Sequence, residues 1–143
     1  MNRIFALASL LVSAAVIGCG PTTQEIHVAV KNDSYEPMTV VLTKDGPPME
    51  MKWLPPEDFA AMHKPPAEAQ VNGIVINPGQ SVDQKRVGQF SSGTQAMLRV
   101  YRGPQTLESM LGIGPDSPNR TDIPLAAGTN LIVIDKSGKA TRQ

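Results

Sequence analysis

Thr94-Gln95-Ala96-Met97-Leu98-Arg99-Val100-Tyr101-Arg102 alternates without a break: Ala96, Leu98 and Val100 share one side of an extended chain, Met97, Arg99 and Tyr101 the other. A period of two residues is that of a strand resting one face on a core. Gly103-Pro104 ends it. Upstream the same period recurs twice, with Ile26, Val28 and Val30 against His27, Ala29 and Lys31, then Met38, Val40 and Leu42 against Thr39, Val41 and Thr43. Asn32-Asp33-Ser34 and Lys44-Asp45-Gly46 carry turn chemistry. The two segments therefore read as a hairpin or as neighbouring strands of a sandwich.

Further runs follow. Val71 to Ile76 is apolar and stops at the turn Asn77-Pro78-Gly79, Ser81 to Val87 is a polar edge strand, and Gly88 with Ser91-Ser92-Gly93 turns the chain again. Ile123-Pro124-Leu125 suits an edge, because proline cannot donate to a ladder. Leu131 to Asp135 is the last strong strand, and Lys136 to Gln143 reads as a fraying basic tail. About seven short strands between turn signals predict an all-β domain over residues 25–135. Its expected form is an antiparallel β-sandwich with Greek-key, Ig-like connections, and a small closed β-barrel is the alternative. Two short helices are expected within it. One spans Gln105 to Leu111, with Leu107, Met110 and Leu111 at helical spacing and Gly112 as its cap.

The other helix lies in a segment with no strand pattern. Gly46 to Gln70 carries Pro-Pro pairs at 47/48, 55/56 and 65/66, and between the last two Glu57 to Lys64 reads as two helical turns opened by Pro56 and stopped by Pro65. Phe59 and Met62 share its buried face. Connections of this length in compact domains are often functional, which makes this segment the first candidate for a site. In Met49-x-Met51-x-Trp53, both thioethers and the indole share a face if the chain is extended, and Met62-His63 follows. Thioethers with an imidazole select Cu(I) or Ag(I); in kind, though not in spacing, the set Met49, Met51, Met62 and His63, with Trp53 nearby, is similar to the sites of periplasmic copper-binding proteins. The competing reading is structural, since methionine fills irregular core gaps. No other cofactor is implied.

Composition narrows the functions. The chain balances thirteen basic against thirteen acidic residues, and its longest basic run is Lys85-Arg86, read as a solvated strand edge. A phosphate-binding surface would show a basic cluster, so nucleic acid is not an expected partner. Aromatic residues are too sparse for a stacking platform. Two histidines and one cysteine leave little for an activated nucleophile, and no nucleophile-elbow, zincin or phosphate-loop motif occurs. Glu57-Asp58 reads as acids favouring a helix start rather than as a catalytic pair, because neighbours on a helix point about 100° apart. Asp116, Asp122 and Asn119 lack the dense oxygen spacing of a calcium loop. His27 falls opposite the apolar stripe of its strand.

The N-terminus is specific. Arg3 precedes a fourteen-residue charge-free run, Ile4 to Ile17, and Val16-Ile17-Gly18-Cys19 closes it with the only cysteine of the chain. The run is shorter than the roughly 20 apolar residues of a spanning helix and has the layout of an export signal over residues 1–18. This stretch resembles the lipobox of bacterial lipoproteins, although position −3 holds Val16 rather than the commoner leucine. The resemblance implies a diacylglyceryl group on the Cys19 thiol, cleavage on its N-terminal side, and a lipid anchor in the cell membrane. Gly20, not aspartate, follows Cys19, which in Gram-negative lipoproteins fits delivery to the outer membrane, facing the periplasm. Residues 19–24 are then the lipidated cysteine and a short tether; Gly20 to Gln24 reaches at most about 17 Å. Without a second cysteine the domain has no internal disulfide.

The expectation is a lipid-anchored cell-envelope protein with a non-enzymatic interaction or accessory domain, its proline-rich loop or a sheet edge meeting an envelope protein partner. The alternatives are a Cu(I)/Ag(I)-binding protein using the 49–63 segment and an unrecognised hydrolase.

Overall fold

A computed structural model describes residues 18, 20–62 and 73–143. Cys19 and His63 lie outside them. Among the described residues eight strands, β1 (Thr22–Asn32), β2 (Met38–Asp45), β3 (Ile74–Ile76), β4 (Ser81–Phe90), β5 (Gln95–Arg102), β6 (Arg120–Leu125), β7 (Gly128–Ile134) and β8 (Ala140–Arg142), form two sheets of four. Sheet A has the order β4-β1-β7-β8 and sheet B the order β3-β2-β5-β6. The two layers make the expected sandwich, not the alternative barrel. The stretch quoted first is β5, central in sheet B, where Leu98 pairs with Leu42 on one side and Ile123 on the other.

The core between the sheets is assembled by strand parity. Ile26, Val28 and Val30 from β1, Val40 and Leu42 from β2, Leu98 and Val100 from β5, and Ile132 and Ile134 from β7 form one buried cluster with Trp53 and Phe90. β4 and β6 lie on edges, as their polarity and Pro124 predict. Asn32, fully buried, joins the layers: its side-chain amide donates to the Ile76 carbonyl at 2.8 Å and to that of Glu36 at 2.9 Å, while its oxygen accepts from Ser34.

Three expectations change. The sandwich is not wholly antiparallel: β1 runs parallel to β7, because β7 enters sheet A from the Ala126-Ala127 turn, at the end where β1 also begins. The tether is shorter than residues 19–24, since β1 already pairs at Thr22, opposite Phe90. Residues 136–143 do not simply fray. Lys136 to Lys139 turn the chain back, Ala140 is buried, and β8 adds to β7. Arg102 secures that turn by donating to the Ser137 carbonyl at 2.6 Å and to Glu36 at 2.6 Å. A Cβ on Gly138, whose φ is +81°, would meet that guanidinium at 2.8 Å.

The outer face of sheet B is covered as well. Met38 to Lys44 are buried at every position, on both faces of β2. Helix α2 (Leu107–Leu111), capped reciprocally by Thr106 and Ser109, packs Met110 on Val41 and Tyr101. Helix α1 (Pro56–Ala60) is shorter than the predicted 57–64 and lies beside α2.

Candidate functional site

The proline-rich segment is fastened to the sandwich by side chains of both sheets. Leaving β2, it turns at Gly46, φ +107°, and the Pro47 carbonyl accepts from Thr94 Oγ1 at 2.6 Å. Glu50 turns inward, where its carboxylate meets Lys44 Nζ at 2.5 Å and the Gln89 N–H at 2.9 Å. Burial pushes the Glu50 carboxyl up, but those hydrogen bonds outweigh it and hold it below its ordinary value. Lys44 is itself buried and also donates to the Gln89 carbonyl at 2.8 Å.

A 3-10 turn, Met51–Trp53, follows and overturns the expected shared face of Met49, Met51 and Trp53. With about three residues per turn rather than two, the indole rotates into the core while Met49 and Met51 stay 68% and 40% exposed. Trp53 Nε1 donates to the Val87 carbonyl at 3.2 Å, and the ring packs edge-on to Phe90 at 5.4 Å. The Arg86 guanidinium stacks over the indole at 5.2 Å and donates to the Leu42 carbonyl at 2.8 Å and to that of Lys52. Arg86 is thus no solvated edge residue; only its neighbour Lys85 is, paired with Glu25 at 3.0 Å.

The methionines still converge, by another route. Met49, Met51 and the half-buried Met62 line one hollow of about 270 Å³ with Leu54, Glu50 and Asp58. Trp53 is not part of its wall. Glu57 and Asp58 diverge, as adjacent helical residues must. Glu57 accepts from Arg99 Nη1 at 2.6 and 2.9 Å and lies 3.5 Å from Arg120, whereas Asp58 faces the methionine hollow and a neighbouring cleft of about 250 Å³ that includes Thr43, Met97 and Arg99. Asp122 grips Arg120 with both oxygens, at 2.8 and 2.7 Å. That guanidinium covers the buried Tyr101 ring at 5.9 Å. For Glu57, burial raises the carboxyl pKa, yet the Arg99 hydrogen bond, a backbone hydrogen bond and the charges of Arg99 and Arg120 together more than reverse it.

His27 stands on the outer face of sheet A, 3.4 Å from Asp83, with both side chains open to solvent at 39% and 73%. Among the described residues no group of three or more His, Cys, Asp or Glu is placed to hold a metal ion. Sequence reasoning missed Lys44, Arg86 and Arg99 as the fasteners of the segment. For two of them a signal existed: Lys44 has the parity of Val40 and Leu42, and Arg86 that of Val82 and Phe90, so both were bound to point between the sheets.

Comparison with protein-family profiles, curated proteins and solved structures finds no match to this chain.

Proposed function

We propose that the chain is a lipid-anchored protein of the bacterial cell envelope, held at the outer membrane and facing the periplasm, whose mature part is a non-enzymatic interaction or accessory domain. The observation that carries this reading is the outer edge of sheet B. Among the described residues β3 pairs on one side only, with Met38–Val40, and Ile74 and Val75 remain 39% and 42% exposed. An unpaired apolar edge is a template to which an extended segment of another protein adds a strand. This edge lies at the half of β2 remote from Thr22, away from a membrane reached through Cys19. The ion pairs of the 46–62 segment agree with a scaffold role, since Glu50, Glu57, Arg99 and Arg120 hold that segment in place.

A photo-crosslinking residue in place of Val75 tests it in cells. The expected product is a discrete adduct with one envelope protein, weakened by Ile74→Lys, which puts a charge on the edge. No adduct, or the same adducts from a crosslinker at exposed Lys85, would sink the interaction reading.

A second reading rests on the convergence of Met49, Met51 and Met62, with His63 next in sequence: a Cu(I) or Ag(I) site. Cu(I) titration of the reduced protein against a competing chelator decides it. Binding tighter than micromolar that is lost when Met49, Met51 and His63 are replaced together supports the site, and weaker binding removes it. The triple replacement leaves fold and membrane location unchanged under either reading.

A further inference from the structure

We propose that the end of the sandwich at which β1 begins is a bilayer-contact surface, seated on the phospholipid headgroups rather than held clear of them. The inference rests on the lipid-anchor reading of Cys19. Strand directions decide which connections share that end. Thr22 pairs with Phe90, the last residue of β4; β7 starts there at Gly128; in sheet B, Asp45 pairs with Gln95, and β6 ends at Leu125. Gly46–Glu50, Ser91–Thr94 and Ala126–Ala127 therefore close the same end that the chain enters through Gly20-Pro21.

These connections are nearly free of charge. Their single ionisable side chain is Glu50, turned inward to Lys44, while Asp45 stands at the rim and Asp58 borders the hollow that Met49 lines. Met49, beside Pro47-Pro48, is the second most exposed large apolar side chain described. The opposite end differs. Its β1–β2 turn carries Asp33 and Glu36, and its β7–β8 turn Asp135, Lys136 and Lys139. Pressing charges into the headgroup–acyl boundary costs desolvation, whereas methionine, proline and alanine gain from leaving water. Only three steps of chain separate Cys19 from Thr22, a reach of at most about 10 Å. The polar layer on each side of a bilayer is itself roughly 5–7 Å thick, so an anchored cysteine leaves this end no room to stand off.

The test uses the lipidated protein in phosphatidylethanolamine–phosphatidylglycerol vesicles. A bimane label is attached to a cysteine introduced at exposed Ser92 in the near end or exposed Tyr35 in the far end, and quenching by doxyl-labelled lipid is read. Several-fold stronger quenching at 92 than at 35, diminished by Met49→Asp, is the expected result. Equal quenching at the two positions overturns the contact surface, as does quenching at 92 that Met49→Asp leaves unchanged. Thiol counting separates this from failure of the anchor: a lipidated Cys19 leaves one reactive thiol in each labelled variant. Two reactive thiols would refute the anchor, and with it the inference.

Discussion

Gly88 lies so close under the indole of Trp53 that a Cβ on it would stand 2.4 Å from Nε1. The contact marks where the sandwich is sealed. Among the described residues β3 covers β2 only from Met38 to Val40, although β2 runs on to Asp45, so none of them adds an edge strand beside Val41–Asp45. Trp53 fills that opening, and Arg86 takes the Leu42 carbonyl that a longer β3 would otherwise face.

Gly88→Ala is expected to destabilise the domain by about 1–3 kcal/mol, the usual range for overpacking. The indole cannot move aside without giving up the Val87 carbonyl and its contact with Phe90. Urea unfolding followed by the fluorescence of Trp53, the only tryptophan, should show a lower midpoint at an unchanged slope. An unchanged midpoint would contradict the close packing.

Acid should loosen the 46–62 segment. Glu50 and Glu57 both ionise more readily in the folded protein than at the ordinary value of 4.5. A carboxylate depressed on folding contributes stability that is full above its unfolded pKa and is lost as pH falls through the folded one. Unfolding free energy is therefore flat near neutrality and declines as pH drops below 4.5. Glu50→Gln should lower stability at pH 7 and flatten that decline, and a steeper decline in the variant would reverse the assignment.

Removing residues 140–143 should cost about 1–3 kcal/mol, because it deletes a paired strand and uncovers the edge of β7. Arg142 also donates to the Pro124 carbonyl at 3.1 Å, tying β8 to sheet B. Amide exchange along Ile132–Ile134 should accelerate in the truncated protein. A frayed tail would leave both stability and exchange as they were.

Cys19→Ala should abolish incorporation of labelled lipid and leave the precursor unprocessed, as read by metabolic labelling and the mobility of the protein in a gel. Normal processing of this variant would refute the lipobox reading.

Much of the fold was legible because strand parity is local. Ala96, Leu98 and Val100 alternate with Met97, Arg99 and Tyr101 whatever surrounds them, and glycine, proline and asparagine punctuate the runs, so the sandwich followed from the chain alone. The edge position of β6 was equally readable, since Pro124 lacks an N–H wherever it sits. The proposal of a lipid anchor likewise comes from the chain alone, from a single cysteine at the end of the charge-free run Ile4 to Ile17.

Tertiary structure decided everything that depends on two distant segments meeting. The Met-x-Met-x-Trp pattern has one geometry if extended and another in a 3-10 turn, and the opening beneath Gly88 selected the turn by drawing the indole inward. Lys136 to Gln143 is polar enough to fray by itself, yet the free edge of β7 and Arg102 give it partners. Likewise the parallel β1–β7 pair, and the gathering of the charge-poor turns beside Thr22, arise only when eight strands are stacked, because strand direction is a relation between segments and not a property of any one of them.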